Sequence, residues 1–500
     1  MMNRPERERL RDWETERLGQ QNSLSVSQSL NNRLVSLSQP CPGLSAAAFL
    51  HHGLGRERFY WADGSLTLAG FGTAAELFAW GELRFQQMEA QARQLFAGAV
   101  IEGDIAAAPR LFGGFAFRDD FTPDNTWSVF HPAHFILPHF QFSQQGDQTW
   151  LTLNALLPAD EDPAQVLPDL REALEFRVSS FEFRVRSSEF QVSGSRFQVA
   201  NPQSPVSQSP VPSLSISQSL SLPSSPLIHY PLTYRQWSAM ITEATTRMKQ
   251  GEMDKVVLAR VCEMRFPETV AVDAALTHLT ARYPGCMTFL FEPRPQHAFF
   301  GATPELLARV QGDRVETMAL AGSIRRGRDL QEDELLSQTI LADPKSRYEH
   351  DVVVQSLRRR LGPLTDELTV PPTGLLKLSY IQHLHTPVSG QLCEAKGILP
   401  LLETLHPTPA LGGSPRPRAM AFIRESEPVT RGWYAAPIGW IDHHLDGAFG
   451  VAIRSAVTQL ERAWLYAGAG IVADSDPQKE WEETALKFSP IRQAMGSDKL

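Results

Sequence analysis

The sequence has few cysteines, no long apolar run and no excess of basic residues, and each shortage excludes a class of protein. Its four cysteines, in 500 residues, form no C-x-x-C pair and no metal-ligand spacing, which argues against a disulfide scaffold and favours a reducing, cytoplasmic compartment. No apolar run approaches the roughly 20 residues that span a bilayer, so no membrane partner is expected. A formal net charge of −9 gives no electrostatic reason to expect nucleic acid.

The N-terminus also lacks the features of a targeting segment. Residues 1–21 mix arginine with glutamate and have no apolar core, so we expect neither a secretory signal nor a transit peptide.

Two repetitive polar tracts divide the chain. The segment 24–30 recurs almost unchanged at 214–220, and both copies lie in surroundings rich in serine, glutamine or proline. Prolines punctuate the second tract, which makes it a poor strand. We therefore predict an N-terminal tail over 1–41 and a low-complexity insertion over 176–228.

The rest of the chain shows strands mixed with helices. Short alternating segments at 112–117, 134–138 and 150–153 predict strands, and a helix is predicted over 74–96. From residue 234 the elements are better marked, and the absence of a regular βαβ rhythm predicts an α+β fold with a largely antiparallel sheet. The predicted helices here are 236–249, 270–283, 332–341 and 345–360, and the predicted strands are 255–264, 288–292, 297–301, 307–320 with a turn at 311–313, 434–442, 449–458 and 464–472.

The last predicted helix carries two carboxylates and an ammonium on one face. Asp476 is a good N-cap and Pro477 suits the first helical position, so Glu480, Glu483 and Lys487 follow at i, i+3 and i+7. Two carboxylates on one face repel unless a cation or solvent lies between them, which suits a hard divalent ion. The alternative is a solvated face with an i, i+4 pair between Glu483 and Lys487.

Two further charged residues border apolar strands. Lys255 opens the strand 255–260, where it is either an edge residue reaching solvent or a general base. A base must be deprotonated, and at an unperturbed pKa near 10.4 only about one lysine in 2,500 is neutral at pH 7. Glu305 follows Pro304 at a bend between two apolar strands, where it is either an exposed turn residue or a positioned acid.

Glu349, Arg454 and three glycines complete the candidates. Glu349 lies three residues before Val352 and so near the buried stripe of its helix, where a glutamate needs a partner. The neighbouring His350 has a structural interpretation and is left out of the ligand set. Arg454 is a lone charge in an apolar strand, a position in which arginine usually binds a carboxylate. Strand-end glycines let a ligand approach the backbone: Gly322, Gly468 and Gly470.

Taken together, these residues resemble the chorismate-utilising enzymes, and among them the isochorismate synthases of the menaquinone and siderophore type. The resemblance covers about residues 230–495 and is loose over 42–175. The matching segments occur in order at 255–260, 301–305, 320–323, 349–350, 382–384, 406–410, 432–439, 453–454, 468–470 and 480–487.

The resemblance implies a fold, a reaction and a cofactor. It implies two largely antiparallel sheets packed face to face between helical layers, in one chorismate-binding domain over 42–495. In that domain 42–175 is the variable N-terminal half and 230–495 the catalytic half. It also implies Mg²⁺ as cofactor, chorismate as substrate and no glutaminase subunit. The sequence carries no signal for oligomeric state, and a monomer is the working expectation.

The resemblance also implies roles for the candidate residues. Lys255 matches the base that activates water for attack at C2 of chorismate, and Glu305 matches the acid that protonates the leaving C4 hydroxyl. The remaining roles are a metal site and a substrate site. The metal ligands would be Glu349, Glu480 and Glu483, and the substrate-binding residues Gly322, Tyr434, Arg454, Gly468, Gly470 and Lys487.

Several positions separate water-using from ammonia-using relatives. Aminodeoxychorismate synthases carry a nucleophilic lysine at the position of Ala321. Enzymes of the family that use water carry a different lysine, at the position of Lys255. Ala410 is the small residue typical of isochorismate synthases. Ser323 and Ala436 depart from the commoner threonine and glycine. Two alternatives stay open: a salicylate synthase that also eliminates pyruvate, and a non-catalytic chorismate-binding paralogue.

Overall fold

Two β-sheets form the centre of the molecule. The computed structural model describes residues 32–192 and 226–496. The strands are β1 Arg33–Pro40, β2 Arg58–Ala62, β3 Leu66–Phe71, β4 Ala75–Ala79, β5 Val100–Glu102, β6 Arg110–Phe115, β7 Ala133–Leu137, β8 Phe140–Gln145, β9 Gln148–Leu157, β10 Leu227–His229, β11 Lys255–Arg265, β12 Met287–Arg294, β13 His297–Thr303, β14 Leu306–Gln311, β15 Arg314–Arg325, β16 Thr365–Thr369, β17 Gly374–Lys377, β18 Ile381–Leu392, β19 Gly413–Ser414, β20 Pro437–Asp442, β21 Gly447–Val451, β22 Ser455–Gln459 and β23 Arg462–Ile471.

Helices cover the outer faces of these sheets. They are α1 Ala46–His52, α2 Arg84–Phe96, α3 Pro163–Val192, α4 Tyr234–Lys249, α5 Val272–Arg282, α6 Leu330–Ala342, α7 Pro344–Leu361, α8 Leu399–Leu405, α9 Arg416–Ser426 and α10 Pro477–Ala494. Helices α3, α5 and α10 pack on the first sheet described below, and α2, α6 and α7 pack on the second. No helix within the described ranges is both long and apolar enough to cross a membrane.

The two sheets are antiparallel except at one edge. The first has the strand order β10-β11-β23-β22-β13-β12-β2-β3-β8-β9-β1-β5, with β19 beside β11. The second has the order β16-β18-β15-β14-β21-β20-β6-β7-β4, with β17 beside β18. Among the described strands, only β1 and β5 pair in parallel. Strands from before residue 160 and after residue 226 occur in both sheets, so the two halves of the chain share one architecture.

The sheets pack face to face through large aromatic side chains. Phe59 of β2 stacks on Phe112 of β6 with ring centroids 6.0 Å apart, and both are buried. The ring centroids of Trp433 and Phe291 of β12 are 5.0 Å apart, and Trp433 is fully buried. Such side chains each bury a large apolar area, so this layer contributes substantially to the core. The predicted fold class, an α+β arrangement of two sheets between helices, is confirmed.

The chain passes from one sheet to the other at two neighbouring points. Residues 304–305 lead from β13 in the first sheet to β14 in the second, and 452–454 lead from β21 in the second to β22 in the first. The two crossings are hydrogen-bonded to each other, because the Val451 N–H donates to the Glu305 carbonyl (2.9 Å) and the Ala302 N–H to the Arg454 carbonyl (3.2 Å). Glu305 and Arg454 therefore lie side by side between the sheets.

Some predicted elements differ from the structure. The predicted helix over 74–96 is a strand, β4, followed by a turn at Gly81 and then α2, because the alternating Ala75–Ala79 segment pairs with β7. The predicted strand over 449–458 is two strands in different sheets, since Arg454 has φ +52° and turns the chain between them.

Two predicted domain boundaries also differ. Strand β1 lies inside the predicted tail 1–41 but pairs along its whole length with β9. The predicted insertion 176–228 begins within α3, which runs to Val192, and ends with β10, which pairs with β11. The repeated tracts at 24–30 and 214–220 lie outside the described residues.

Candidate active site

A cavity lies between the sheets, where the two crossings meet α7 and α10. The space free of atoms in and in front of it, open solvent at the mouth included, is about 610 Å³. Both sheets and both helices line it, so it brings together residues from distant parts of the sequence. Nine predicted site residues line it: Glu305, Gly322, Glu349, Tyr434, Arg454, Gly468, Gly470, Glu483 and Lys487.

The other two predicted site residues lie behind the cavity wall. The Lys255 side chain is fully buried, and its Nζ lies 2.9 Å from Oε1 of Glu349, which does face the cavity. Glu480 is 1% exposed and accepts a hydrogen bond of 2.6 Å from Lys345. Lys255 therefore contacts the cavity through Glu349.

Each of the three predicted metal ligands is paired with a lysine. Burial and the charge of Glu483 raise the pKa of Glu480. Burial also acts to raise the pKa of Glu483, but Lys487, Lys345 and Arg454 together lower it. As placed, no three His, Cys, Asp or Glu side chains of the described chain lie close enough together to hold a metal. The pairs are Glu349 with Lys255 (2.9 Å), Glu480 with Lys345 (2.6 Å) and Glu483 with Lys487 (2.6 Å).

Carboxylate oxygens suit a hard cation, although in this structure each of the three carboxylates is paired with a lysine ammonium. Carboxylate oxygens are the ligands that Mg²⁺ takes from proteins, usually one or two at a time with water and substrate oxygens completing the octahedron. A carboxylate as buried as that of Glu480 needs a cation beside it. The residues present therefore fit a divalent ion, provided that the lysines release them.

Gly470 is required for the position of Glu349. A Cβ atom at residue 470 would lie 2.1 Å from Glu349 Oε1 and 3.2 Å from Lys255 Cε. We expect Gly470→Ala to displace the carboxylate and reduce kcat at least tenfold, as measured by turnover of chorismate, the substrate that the resemblance implies. Gly374→Ala is the matched control, since a Cβ there meets nothing within 4 Å. If the two variants have equal kcat values, turnover does not depend on where the Glu349 carboxylate lies.

Glu305 is a buried carboxyl at the first crossing. Burial raises its pKa to about 8, although Lys255, Lys487 and Arg454 all act in the opposite direction. The group is therefore mostly protonated at neutral pH and can donate a proton into the cavity. A carboxyl that is neutral at pH 7 is what a general acid requires.

Arg454 is held in place by side chains from the β17–β18 segment. Its guanidinium donates to the hydroxyl of Tyr380 and lies 3.5 Å from Nε2 of His383. His383 is buried, and burial together with the charges of Arg454 and Lys487 lowers its pKa well below the usual value. The ring is therefore neutral, with Nδ1 3.2 Å from the Gly322 carbonyl and 2.9 Å from Ser323 Oγ. Since Nε2 faces the donor Arg454, we assign the ring proton to Nδ1.

At the other side of the cavity, Lys487 and Tyr434 face β23. Lys487 Nζ donates to the Gly468 carbonyl at 2.8 Å in addition to its pair with Glu483. The Tyr434 ring stacks on Tyr466 with centroids 5.2 Å apart, and burial raises the pKa of its hydroxyl. A Cβ at Gly468 would lie 3.2 Å from that hydroxyl, so glycine keeps the two elements close.

The sequence of this chain matches a family of enzymes that bind one substrate class. The family profile described as chorismate binding enzyme matches residues 20–204 and 213–496. The chain belongs to the chorismate-binding enzymes. The match includes the N-terminal half, which the sequence motifs related to the family only loosely.

Three relatives illustrate the similarity of this chorismate-binding enzyme to known proteins. It is 35% identical to the salicylate biosynthesis isochorismate synthase of Pseudomonas aeruginosa, over 88% of this chain and 84% of that protein. It is 33% identical to the isochorismate synthase MenF of Bacillus subtilis, over 93% and 94%. The solved structure of MenF, the menaquinone-specific isochorismate synthase of Escherichia coli, superposes with a TM-score of 0.70 at 26% identity, covering 93% of this chain and 95% of that one.

Three residues of this chorismate-binding enzyme contact the site but had no role in the sequence prediction. His383 lies in the matching segment 382–384, so a signal for it was present, but no role could be assigned without its contact with Arg454. Tyr380 and Lys345 carried no signal, because their partners are far away in the sequence. His350, left out of the ligand set, lies 2.8 Å from Thr386 Oγ1 through its Nε2.

Proposed function

We propose that this protein catalyses the Mg²⁺-dependent isomerisation of chorismate to isochorismate. The observation that carries the proposal is Glu305, a buried and largely protonated acid on the wall of a cavity that also holds Arg454 and Lys487. The relatives named isochorismate synthase, similar over most of their length, support the same reaction. The enzyme is then an isomerase.

The reaction needs one proton removed and one proton donated. In the proposed step, Lys255, once it has lost its ammonium proton, takes a proton from water as the water oxygen bonds to C2 of chorismate. The ring double bonds shift, the C4–O bond breaks, and Glu305 gives its proton to the departing hydroxyl, which leaves as water. Lys255 ends protonated and Glu305 ionised, so the reverse reaction uses the same groups with their roles exchanged.

Cationic side chains on the cavity wall would bind the substrate, a dianion. Arg454 is fixed by Tyr380 and His383, and its planar guanidinium suits a carboxylate. Lys487 supplies a second cation beside Gly468. Because Arg454 is held before binding, little conformational entropy is lost when it orients the substrate.

We propose that Glu349 and Glu483, with Glu480 directly or through water, hold Mg²⁺. When bound, the ion would neutralise and orient a substrate carboxylate. If Glu349 held the ion, it would no longer pair with Lys255, and Lys255 would be free to face the cavity. We also propose that the protein works in the cytoplasm without a glutaminase subunit, because water needs no supplying subunit.

Chelation tests the metal requirement. Purified protein treated with EDTA is expected to lose more than 95% of chorismate turnover and to regain it when Mg²⁺ is added in excess. Product chromatography should show isochorismate alone. Salicylate with pyruvate would favour the salicylate synthase, and Mg²⁺-dependent chorismate binding without turnover would favour the non-catalytic paralogue. Undiminished turnover in EDTA would contradict the metal site.

A further inference from the structure

Lys345 lies beside the carboxylate cluster, which consists of Glu349, Glu480 and Glu483. No step of the proposed reaction uses Lys345. It is the second residue of α7, one helical turn before Glu349. Its Nζ lies 2.6 Å from Oε1 of Glu480, a carboxylate that is 1% exposed. The Lys345 side chain itself is one-third exposed, so the ammonium closes the solvent side of a buried acid.

The charge of Lys345 acts on all three proposed metal ligands. Burial acts to lower the pKa of Lys345, but Glu480, and then Glu349 and Glu483, raise it above the ordinary value. These are the same three carboxylates proposed for Mg²⁺. A cation in this position therefore occupies the same negative potential that a divalent ion would use.

We propose that Lys345 is the resident counter-ion of this carboxylate cluster and competes with Mg²⁺ for Glu480. The proposal rests on the metal site in the proposed function. Lys345 is a positioning residue in this role: it holds Glu480 in place in the metal-free enzyme, and it reduces the affinity for Mg²⁺.

The two effects of Lys345 have opposite signs, which makes them measurable. Without Lys345 the metal-free protein keeps a buried carboxylate with no nearby cation, which is destabilising. With Mg²⁺ present, the same protein binds the ion without first releasing an ammonium from Glu480. An ordinary structural ion pair would instead stabilise the protein equally with and without the metal.

The test measures Mg²⁺ binding by isothermal titration calorimetry and Tm in EDTA or in Mg²⁺. For Lys345→Gln we expect a Kd for Mg²⁺ at least tenfold lower than in the wild type, a lower Tm in EDTA and a larger rise in Tm on adding Mg²⁺. Lys345→Met, which keeps the aliphatic stem, should behave in the same way. Lys345→Arg keeps the charge and should retain a Kd near the wild-type value.

Lys479→Gln is the matched control, since Lys479 is exposed beside Glu480 and its loss changes the net charge equally. It should leave the Kd for Mg²⁺ within twofold of the wild type. The Lys345 inference fails, while the proposed metal site stands, if both Lys345→Gln and Lys345→Met bind Mg²⁺ with an unchanged or higher Kd and if each lowers Tm by the same amount in EDTA as in Mg²⁺. If the wild type binds no Mg²⁺ and turns over chorismate fully in EDTA, the proposed metal site and this inference both fail.

Discussion

Replacing Glu305 with glutamine is expected to reduce kcat for chorismate by about 10²–10⁴-fold, the usual contribution of a general acid. Glutamine matches the size and the neutral charge of the protonated Glu305 side chain, so KM should change less than threefold. The amide cannot donate a proton to the leaving hydroxyl. Steady-state turnover followed by product chromatography measures both constants, and a kcat within fivefold of the wild type would reject Glu305 as the acid.

The same group predicts the alkaline side of the pH profile. Since burial raises the pKa of Glu305 to about 8, kcat should fall as the pH rises through that value. The residual activity of Glu305→Gln should lack this decline. The folded pKa lies above the ordinary value of 4.5, so the folded state binds more protons than the unfolded state between about pH 4.5 and 8. The free energy of unfolding therefore falls as the pH rises across that window. The Glu305→Gln variant, which has no carboxyl to ionise here, should lose less of its free energy of unfolding over the same range.

Replacing Lys255 with methionine is expected to reduce kcat by a similar factor, about 10²–10⁴-fold. Methionine fills a comparable apolar volume in the buried position but can neither take a proton from water nor pair with Glu349. Turnover should therefore fall at every pH, whereas the loss in Glu305→Gln should shrink above pH 8.

Lys396→Met is the control for the Lys255 variant. Lys396 is exposed and pairs with Glu394 at 2.6 Å, away from the cavity. Its turnover should stay within twofold of the wild type. If Lys255→Met retains more than a tenth of the wild-type kcat while remaining folded by circular dichroism, another group must be the base.

The sequence predicted several elements of the C-terminal half well, because their signals are local, but it predicted none of the strands and helices between residues 365 and 426. Helix α10 begins where Asp476 and Pro477 predicted, and the Asp476 carboxylate accepts from the N–H groups of Gln478 and Lys479. Strand β11 begins at Lys255 as predicted. In the N-terminal half the strand β4 was mistaken for helix, because its pairing with β7 involves residues about 60 positions away.

The candidate site was predicted by residue type and not by geometry. The motifs identified Glu480 and Glu483 on α10 and the arginine at the second crossing, and nine predicted residues line one cavity. The motifs did not predict that Arg454 turns the chain from one sheet to the other with a positive φ. That turn depends on which sheet each flanking strand joins, and strand pairing is a long-range property.

The sequence by itself determined the chemistry that is present: the acids, the cations, the glycines and the local elements that carry them. Only the tertiary structure decided that Glu305 is buried and neutral, and that Lys255 meets Glu349 and Lys345 meets Glu480. The physical reason is that helix caps and residue periodicity act over a few neighbours. Burial and charge pairing instead depend on segments that come together only when both sheets close on each other.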